Sequence, residues 1–194
     1  NRGAYDNGRL VEDIIAVLQS LGENNVTVVG QSMGGWTALG LAIERPDLVR
    51  AVVLSATVGG LFDDEIAQHY ERVMARAREL ASKPPALGVH PALGRQFASQ
   101  HPDEAYLYQL LTSFGSPSPG KVAEGLGHTR FDDATLARLR APVLFVVGED
   151  DEAVRTGRII GRLAQRAQLA IDAVQSVERF GSLGAAVVGD LVVV

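Results

Sequence analysis

The sequence predicts an α/β fold with a mainly parallel sheet flanked by helices, and three observations carry this prediction. Three short apolar runs at residues 26–29, 51–55 and 141–147 are rich in β-branched residues and lack a clean alternation, as parallel strands buried on both faces do. Segments with apolar residues at helical spacing alternate with these runs. The chain has 194 residues, 46% of them apolar, which suffices for one domain with a sizeable core.

The remaining elements follow in the order that such a fold requires. Residues 10–21 show helical spacing, and Gly22 is a plausible stop for that helix. A glycine-rich turn at residues 30–35 separates the first strand from a helix over residues 36–44, which ends near Pro46. Three further elements are predicted near the end of the chain: a helix at 152–166, a short strand at 168–171 and a buried strand within the apolar tail 185–194.

Residues 58–138 break the alternation of strands and helices. They contain a long helical run at 63–82 and a shorter one at 103–111, with proline-rich loops and no strand between them. We therefore expect a helical insertion between two strands of the sheet. The predicted organisation is a core segment at 1–57, the insertion at 58–138 and the continued core at 139–194.

Composition excludes several classes of function. The formal net charge is −5 and no basic stripe is present, so we expect no nucleic-acid partner. No run of 18 apolar residues predicts a membrane span. The chain has no cysteine, which removes disulfides, thiolate catalysis and cysteine-based zinc sites and fits a reducing compartment, so we expect a cytoplasmic protein.

The sequence predicts neither a metal site nor a cofactor. Its four histidines are scattered, and its paired aspartates at 63–64, 132–133 and 150–151 are typical of helix starts. No phosphate-binding loop or dinucleotide fingerprint is present. A small-molecule substrate is the expected partner, and the sequence predicts no particular oligomeric state.

The turn at residues 30–35, with the sequence GQSMGG, has the pattern of a nucleophile elbow. Ser32 lies between a strand and a helix, where a strained tight turn presents a hydroxyl at the carboxyl end of the strand. Side chains two residues before and two after would collide, which explains Gly30 and Gly34. The backbone N–H of Met33, near the start of the helix, is a candidate donor to a developing oxyanion. The alternative is a glycine-rich turn that merely joins two elements.

Two segments resemble the α/β-hydrolase superfamily. Residues 26–56 (VTVVGQSMGGWTALGLAIERPDLVRAVVLSA) resemble its nucleophile-elbow region, and residues 142–154 (PVLFVVGEDDEAV) resemble its later strand that carries the catalytic acid. The helical insertion is similar to the family's cap. The nearest types are esterases, enol-lactonases and C–C-bond hydrolases. The resemblance implies a partial α/β-hydrolase fold and a serine hydrolase acting on a small ester, lactone or related acyl substrate.

In this family the acid lies after a strand and a glycine, which here implies Asp151, with Asp150 as the alternative. Its role would be to hold a histidine in one tautomer and to stabilise the imidazolium. The same acidic residues also suit the start of the next helix, and both roles are compatible. The lid residues expected to line the pocket are apolar or aromatic: Leu61, Phe62, Tyr106, Tyr108 and Phe114.

The family order of serine, acid and histidine places the base after the acid. No histidine follows Asp151, since the four histidines are His69, His90, His101 and His128. His128 follows a glycine but precedes the acid, which favours a lid residue. Only about 25 residues precede the elbow strand. We therefore expect a partial domain with weak activity. The alternatives are a catalytically inactive ligand-binding or interaction homologue and an inert fragment.

Overall fold

A computed structural model describes residues 6–81, 93, 96–114, 129–147, 171–176 and 191–193. Its five strands form one sheet in which every neighbouring pair is parallel. The spatial order is β4-β3-β2-β1-β5. The strands are β1 (Val26–Gln31), β2 (Val49–Ser55), β3 (Val143–Val147), β4 (Ile171–Ser176) and β5 (Leu191–Val193). The predicted α/β class with a parallel sheet is confirmed.

Six helices lie in the described part of the chain. They are α1 (Asn7–Leu21), α2 (Gly34–Glu44), α3 (Asp64–Ala81), α4 (Phe97–Gln100), α5 (Pro102–Ser113) and α6 (Asp133–Leu136). Four of them, α3 to α6, fall within residues 58–138, where the described residues form no strand. The helical character predicted for this segment is confirmed for those residues, and its status as a separate domain stays a prediction. No described helix is both long and apolar enough to cross a membrane.

The central strands alternate in burial although their sequences do not alternate in polarity. Val28, Val52 and Leu54 are buried, whereas the intervening Val29 and Val53 are partly exposed. One face of β1 and β2 is therefore more deeply covered than the other. The predicted burial is thus complete on one face and partial on the other, and valine occupies both faces, so its presence alone does not rank them.

Helix α1 is delimited by side-chain and glycine caps. Asp6 accepts a hydrogen bond from the Arg9 N–H at 2.9 Å, and Gly22 adopts a left-handed conformation with φ 73°. Both are preferred devices for the two helix ends. The predicted stop at Gly22 is confirmed, and the helix begins three residues earlier than the apolar spacing indicated.

Two buried contacts dock α1 onto α2. The Asn7 side-chain amide donates to the Trp36 carbonyl at 3.2 Å and accepts from the Thr37 hydroxyl at 3.2 Å. A Cβ atom at Gly40 would lie 2.8 Å from Asn7 Nδ2 and 3.0 Å from Val11 Cγ2. Gly40 therefore permits the close approach, and Asn7 satisfies its own buried polar atoms.

Three elements were predicted near the end of the chain, and the structure describes parts of two of them. Of the strand expected at 168–171, Ile171 is described and is the first residue of β4, which runs to Ser176, whereas residues 168–170 lie outside the described residues. Strand β4 contains Asp172 and Gln175, which a search for apolar runs rejects, but it lies at one edge of the described sheet, where polar residues are tolerated. The tail contributes β5, which pairs with β1. The helix predicted at 152–166 lies outside the described residues.

Candidate active site

Ser32 occupies the tight turn between β1 and α2 in a strained backbone conformation. Its φ is 49°, a left-handed value that residues other than glycine rarely adopt, and its side chain is exposed. The Ser32 N–H donates to the Ser55 carbonyl at 3.0 Å, and the Gly35 N–H donates to the Ser32 carbonyl at 3.1 Å. A strained residue of this kind costs about 1–3 kcal/mol and persists only where its surroundings determine it.

The turn requires a glycine at position 30. A Cβ atom there would lie 2.5 Å from the Gly34 carbonyl oxygen and 2.7 Å from the Gly35 Cα. These are backbone atoms, so a rotamer change offers no relief. The collision that the spacing predicted therefore involves the backbone at Gly34, the first residue of α2, rather than a side chain.

The N-terminus of α2 offers two unoccupied backbone donors. Met33 is the N-cap residue of this helix and has no side-chain capping bond. Within the part of the chain that the structure describes, neither the Met33 N–H nor the Gly34 N–H donates to a protein acceptor. Such N–H groups at a helix start carry partial positive charge and suit an anionic or developing anionic oxygen.

Thr57 supports the turn from behind, a role that sequence reasoning missed. It is 3% exposed, and its hydroxyl accepts a hydrogen bond from the Gly59 N–H at 3.0 Å. Its side chain occupies the space that a Cβ atom at Gly35 would need. The preceding Ala56 also has a left-handed φ, 46°, and donates its N–H to the Val146 carbonyl at 2.9 Å. Gly35 was the signal in the sequence that a neighbouring side chain packs closely against this turn.

A cleft of about 470 Å³ lies between residues 61–62 and the segment 131–136, and Ser32 is not among its lining residues. Of the residues predicted to line a pocket, Leu61 and Phe62 line this cleft, and Tyr106, Tyr108 and Phe114 do not. Those three side chains are exposed on or just after α5. The other lining residues of the cleft come from the segment around α6: Phe131, Asp132, Asp133, Ala134 and Leu136.

Aromatic contacts join Phe62, which lines the cleft, to helices α2 and α3. The Phe62 ring lies 6.1 Å from the Trp36 ring and 5.6 Å from the Tyr70 ring, measured between centroids. The Arg130 guanidinium lies 5.3 Å from the Phe62 centroid, within the range of a cation–π contact. The Trp36 indole N–H also donates to the Thr129 carbonyl at 3.2 Å. The segment at 129–131 is thus fastened to the start of α2.

Two groups near the cleft have shifted acidity. Burial, together with the charge of Glu71, raises the pKa of Tyr70. Hydrogen bonds from Thr135 lower the pKa of Asp132, the N-cap residue of α6. Both shifts arise from packing or capping and neither involves Ser32. No cluster of three or more potential metal ligands occurs among the residues with described positions.

The remaining candidate catalytic residues are not brought to Ser32 in the described part of the chain. Asp151, Asp150, His90 and His128 lie outside it. His69 is in α3, and His101 lies on the surface before α5, with its ring 5.1 Å from that of Phe97 and its Nδ1 4.0 Å from Glu104. Among the described residues no side chain hydrogen-bonds to Ser32 Oγ. The candidate nucleophile and the candidate oxyanion donors are adjacent in the chain, and the catalytic roles of all these residues stay predictions.

Comparison with known proteins identifies a family whose model matches most of the chain. Residues 2–180 match the family model Hydrolase_4, described as serine aminopeptidase, S33. Over 82 residues the chain is 42% identical to 2-hydroxymuconate semialdehyde hydrolase of Pseudomonas putida, covering 40% of this chain and 29% of that protein. The chain therefore matches less than a third of this curated relative.

Solved structures share the fold. One is MGS-M2, an α/β-hydrolase enzyme from a Medee basin deep-sea metagenome library, with a TM-score of 0.61, 17% identity, and coverage of 100% of this chain and 65% of that one. Another is a variant of CumD, a meta-cleavage product hydrolase of Pseudomonas fluorescens IP01, with a TM-score of 0.61, 19% identity, and coverage of 91% and 64%. In both cases the chain covers less than two thirds of its neighbour.

Proposed function

The chain belongs to the Hydrolase_4 family of the α/β-hydrolase superfamily, and from this premise we propose that it is a serine hydrolase with Ser32 as nucleophile. One observation carries the proposal: an exposed serine at φ 49° on a turn that has no space for a side chain at Gly30. Strained residues of this kind cluster at functional sites, and at Ser32, unlike Ala56, the strained residue carries an exposed hydroxyl next to the start of a helix.

The proposed reaction is acyl transfer. Ser32 Oγ attacks the carbonyl carbon of an ester or lactone while its proton passes to a base, and the resulting oxyanion accepts a hydrogen bond from the Met33 N–H. The C–O bond to the leaving alcohol then breaks, and that alcohol receives the proton. Water hydrolyses the acyl-enzyme by the same sequence of steps and restores the serine.

We propose Asp151 as the acid that orients the base, with Asp150 as the alternative. No histidine follows Asp151 in these 194 residues, so we propose that this chain alone hydrolyses its substrate weakly. Removing the base of a serine hydrolase lowers kcat on the order of 10⁶-fold. The oxyanion donors and the exposed nucleophile would sustain the residual rate.

A small, moderately apolar acyl compound is the proposed substrate. The curated relative is by name a hydrolase of a semialdehyde, which supports a small substrate. The proposed cap, residues 58–138, contributes Leu61 and Phe62 to a partly apolar cleft. We propose that this cleft holds the part of the substrate that does not react.

Hydrolysis of p-nitrophenyl acetate in the presence and absence of imidazole tests the proposal, because imidazole supplies a base in solution. We expect the wild-type chain to exceed Ser32→Ala, and the difference to grow with imidazole concentration. Ser20→Ala is the matched control, since Ser20 is also an exposed serine, in α1. Equal rates for the wild-type and Ser32→Ala chains at every imidazole concentration would favour an inactive ligand-binding homologue.

A further inference from the structure

Helix α5 is oriented with its apolar side away from the rest of the described chain. Only Ala105 is buried and only Gln109 is partly buried, and both lie on one side of the helix. At 3.6 residues per turn, five apolar residues span about 140° of the opposite side. They are called the α5 stripe here, with exposed fractions in parentheses: Tyr106 (48%), Leu107 (55%), Leu110 (39%), Leu111 (62%) and Phe114 (83%), which follows the last helical residue.

Helix α3 shows the usual orientation and makes the contrast clear. Its Ile66 is fully buried while the neighbouring Glu65 and Gln68 are exposed. In α5 the order is reversed, because the larger apolar side chains face outward and the small Ala105 faces inward. Aromatic side chains alone have areas of about 150–250 Å², so the α5 stripe exposes roughly 500 Å². This value lies near the upper limit for monomeric proteins.

We propose that the α5 stripe is the surface through which two copies of this chain associate. Two stripes facing one another would bury roughly 1,000 Å² in total, which is at the lower end for specific interfaces and predicts a weak dimer with Kd in the range of about 10–100 μM. Charge argues against an anionic lipid surface as the occupant. The helix contains no lysine or arginine, and its charged residues are Asp103 and Glu104.

The same two acidic residues indicate an antiparallel pair. They lie in the first turn of a 12-residue helix, so a parallel pair would place four carboxylates together. In an antiparallel pair centred on Leu110 they are separated by about 20 Å along the helix axis, beyond the screening length of about 8 Å at physiological ionic strength. In this arrangement Leu110 faces Leu110 of the second copy, and Tyr106 faces the partner's Phe114.

Sedimentation velocity of the full chain from about 1 to 500 μM tests the association. We expect the wild-type weight-average mass to rise towards twice the monomer value, and Leu111→Glu to shift the midpoint by at least tenfold. Leu21→Glu is the matched control, because Leu21 is 66% exposed in α1 against 62% for Leu111. A wild-type chain that stays monomeric throughout, or a Leu111→Glu variant that associates as the wild type does, overturns the proposal.

Cysteine crosslinking tests the geometry, because the chain contains no cysteine of its own. Under mild oxidation we expect Leu110→Cys to crosslink to itself, and Tyr106→Cys to crosslink with Phe114→Cys in a mixture faster than either does alone. Leu21→Cys should not crosslink above background. Crosslinking of Tyr106→Cys to itself at the rate of Leu110→Cys contradicts the antiparallel pair.

Flotation with phosphatidylcholine vesicles, with and without phosphatidylserine, tests whether the α5 stripe binds a lipid surface instead of a second copy of the chain. Flotation of the wild-type chain but not of Leu111→Glu would assign the α5 stripe to lipid and overturn the proposal. We expect no flotation with either vesicle. The proposal is independent of Ser32, so its failure leaves the hydrolase proposal unchanged.

Discussion

Helices α2 and α5 are similar in length, 11 and 12 residues, and opposite in their environment. Nine residues of α2 are buried, whereas a single residue of α5 is. Glycines at 35 and 40 allow α2 to approach Thr57 and Asn7 closely, and Gly30 allows β1 to lie against Gly34, the first residue of α2. The position of Ser32 is thus determined by packing within the described core, whereas most apolar side chains of α5 are exposed.

The largest expected effect on stability comes from disturbing the packing between β1 and α2. Gly30→Ala places a Cβ atom against the backbone of Gly34 and Gly35, which cannot rotate away, so we expect a loss of about 3 kcal/mol or more in the free energy of unfolding. Chemical denaturation measures this value. Gly8→Ala is the control, because Gly8 lies within α1 and its Cβ would be in ordinary contact, 3.4 Å from Asp6 Oδ1. That control should be neutral or stabilising by up to about 1 kcal/mol.

One leucine from each helix allows the contributions of α2 and α5 to stability to be compared. Leu39 in α2 is fully buried and Leu111 in α5 is 62% exposed. We expect Leu39→Ala to lower the free energy of unfolding by about 2–5 kcal/mol, and Leu111→Ala to change it by less than about 0.5 kcal/mol. Urea unfolding at about 1 μM, below the proposed dimer Kd, provides the measurement. Similar losses for both substitutions would show that α5 packs within its own chain.

The smallest effect concerns an exposed carboxylate with a local role. Because hydrogen bonds from Thr135 lower the pKa of Asp132 below its ordinary value of 3.8, its stabilising contribution is present above pH 3.8 and is lost as the pH falls through the lowered pKa. We expect Asp132→Asn to melt at a slightly lower temperature than the wild type at pH 7, with the difference vanishing towards pH 2. Thermal melts followed by circular dichroism report it. Asp133→Asn, which removes a carboxylate without that capping bond, should show a smaller difference at pH 7.

Sequence reasoning predicted the elements that depend on local signals. The elbow, the stop at Gly22 and the core strands follow from glycine placement and apolar β-branched runs. It missed Asn7 and Thr57, because their roles depend on atoms distant in the chain, Trp36 and Gly35 respectively. It also missed the outward orientation of α5, since periodicity shows that a helix has an apolar side and not what that side contacts. It did not extend the edge strand β4 beyond Ile171, because Asp172 and Gln175 interrupt the apolar run.

Labelling with a fluorophosphonate, located by peptide mass spectrometry, tests the central claim about Ser32 most directly. We predict that the native chain is labelled at Ser32 in preference to the exposed Ser20, that urea-unfolded chain loses this preference, and that Ser32→Ala abolishes the labelled peptide. Labelling of Ser32 at the same rate in the native and the unfolded chain, or at no greater rate than Ser20, would contradict the assignment of Ser32 as the nucleophile.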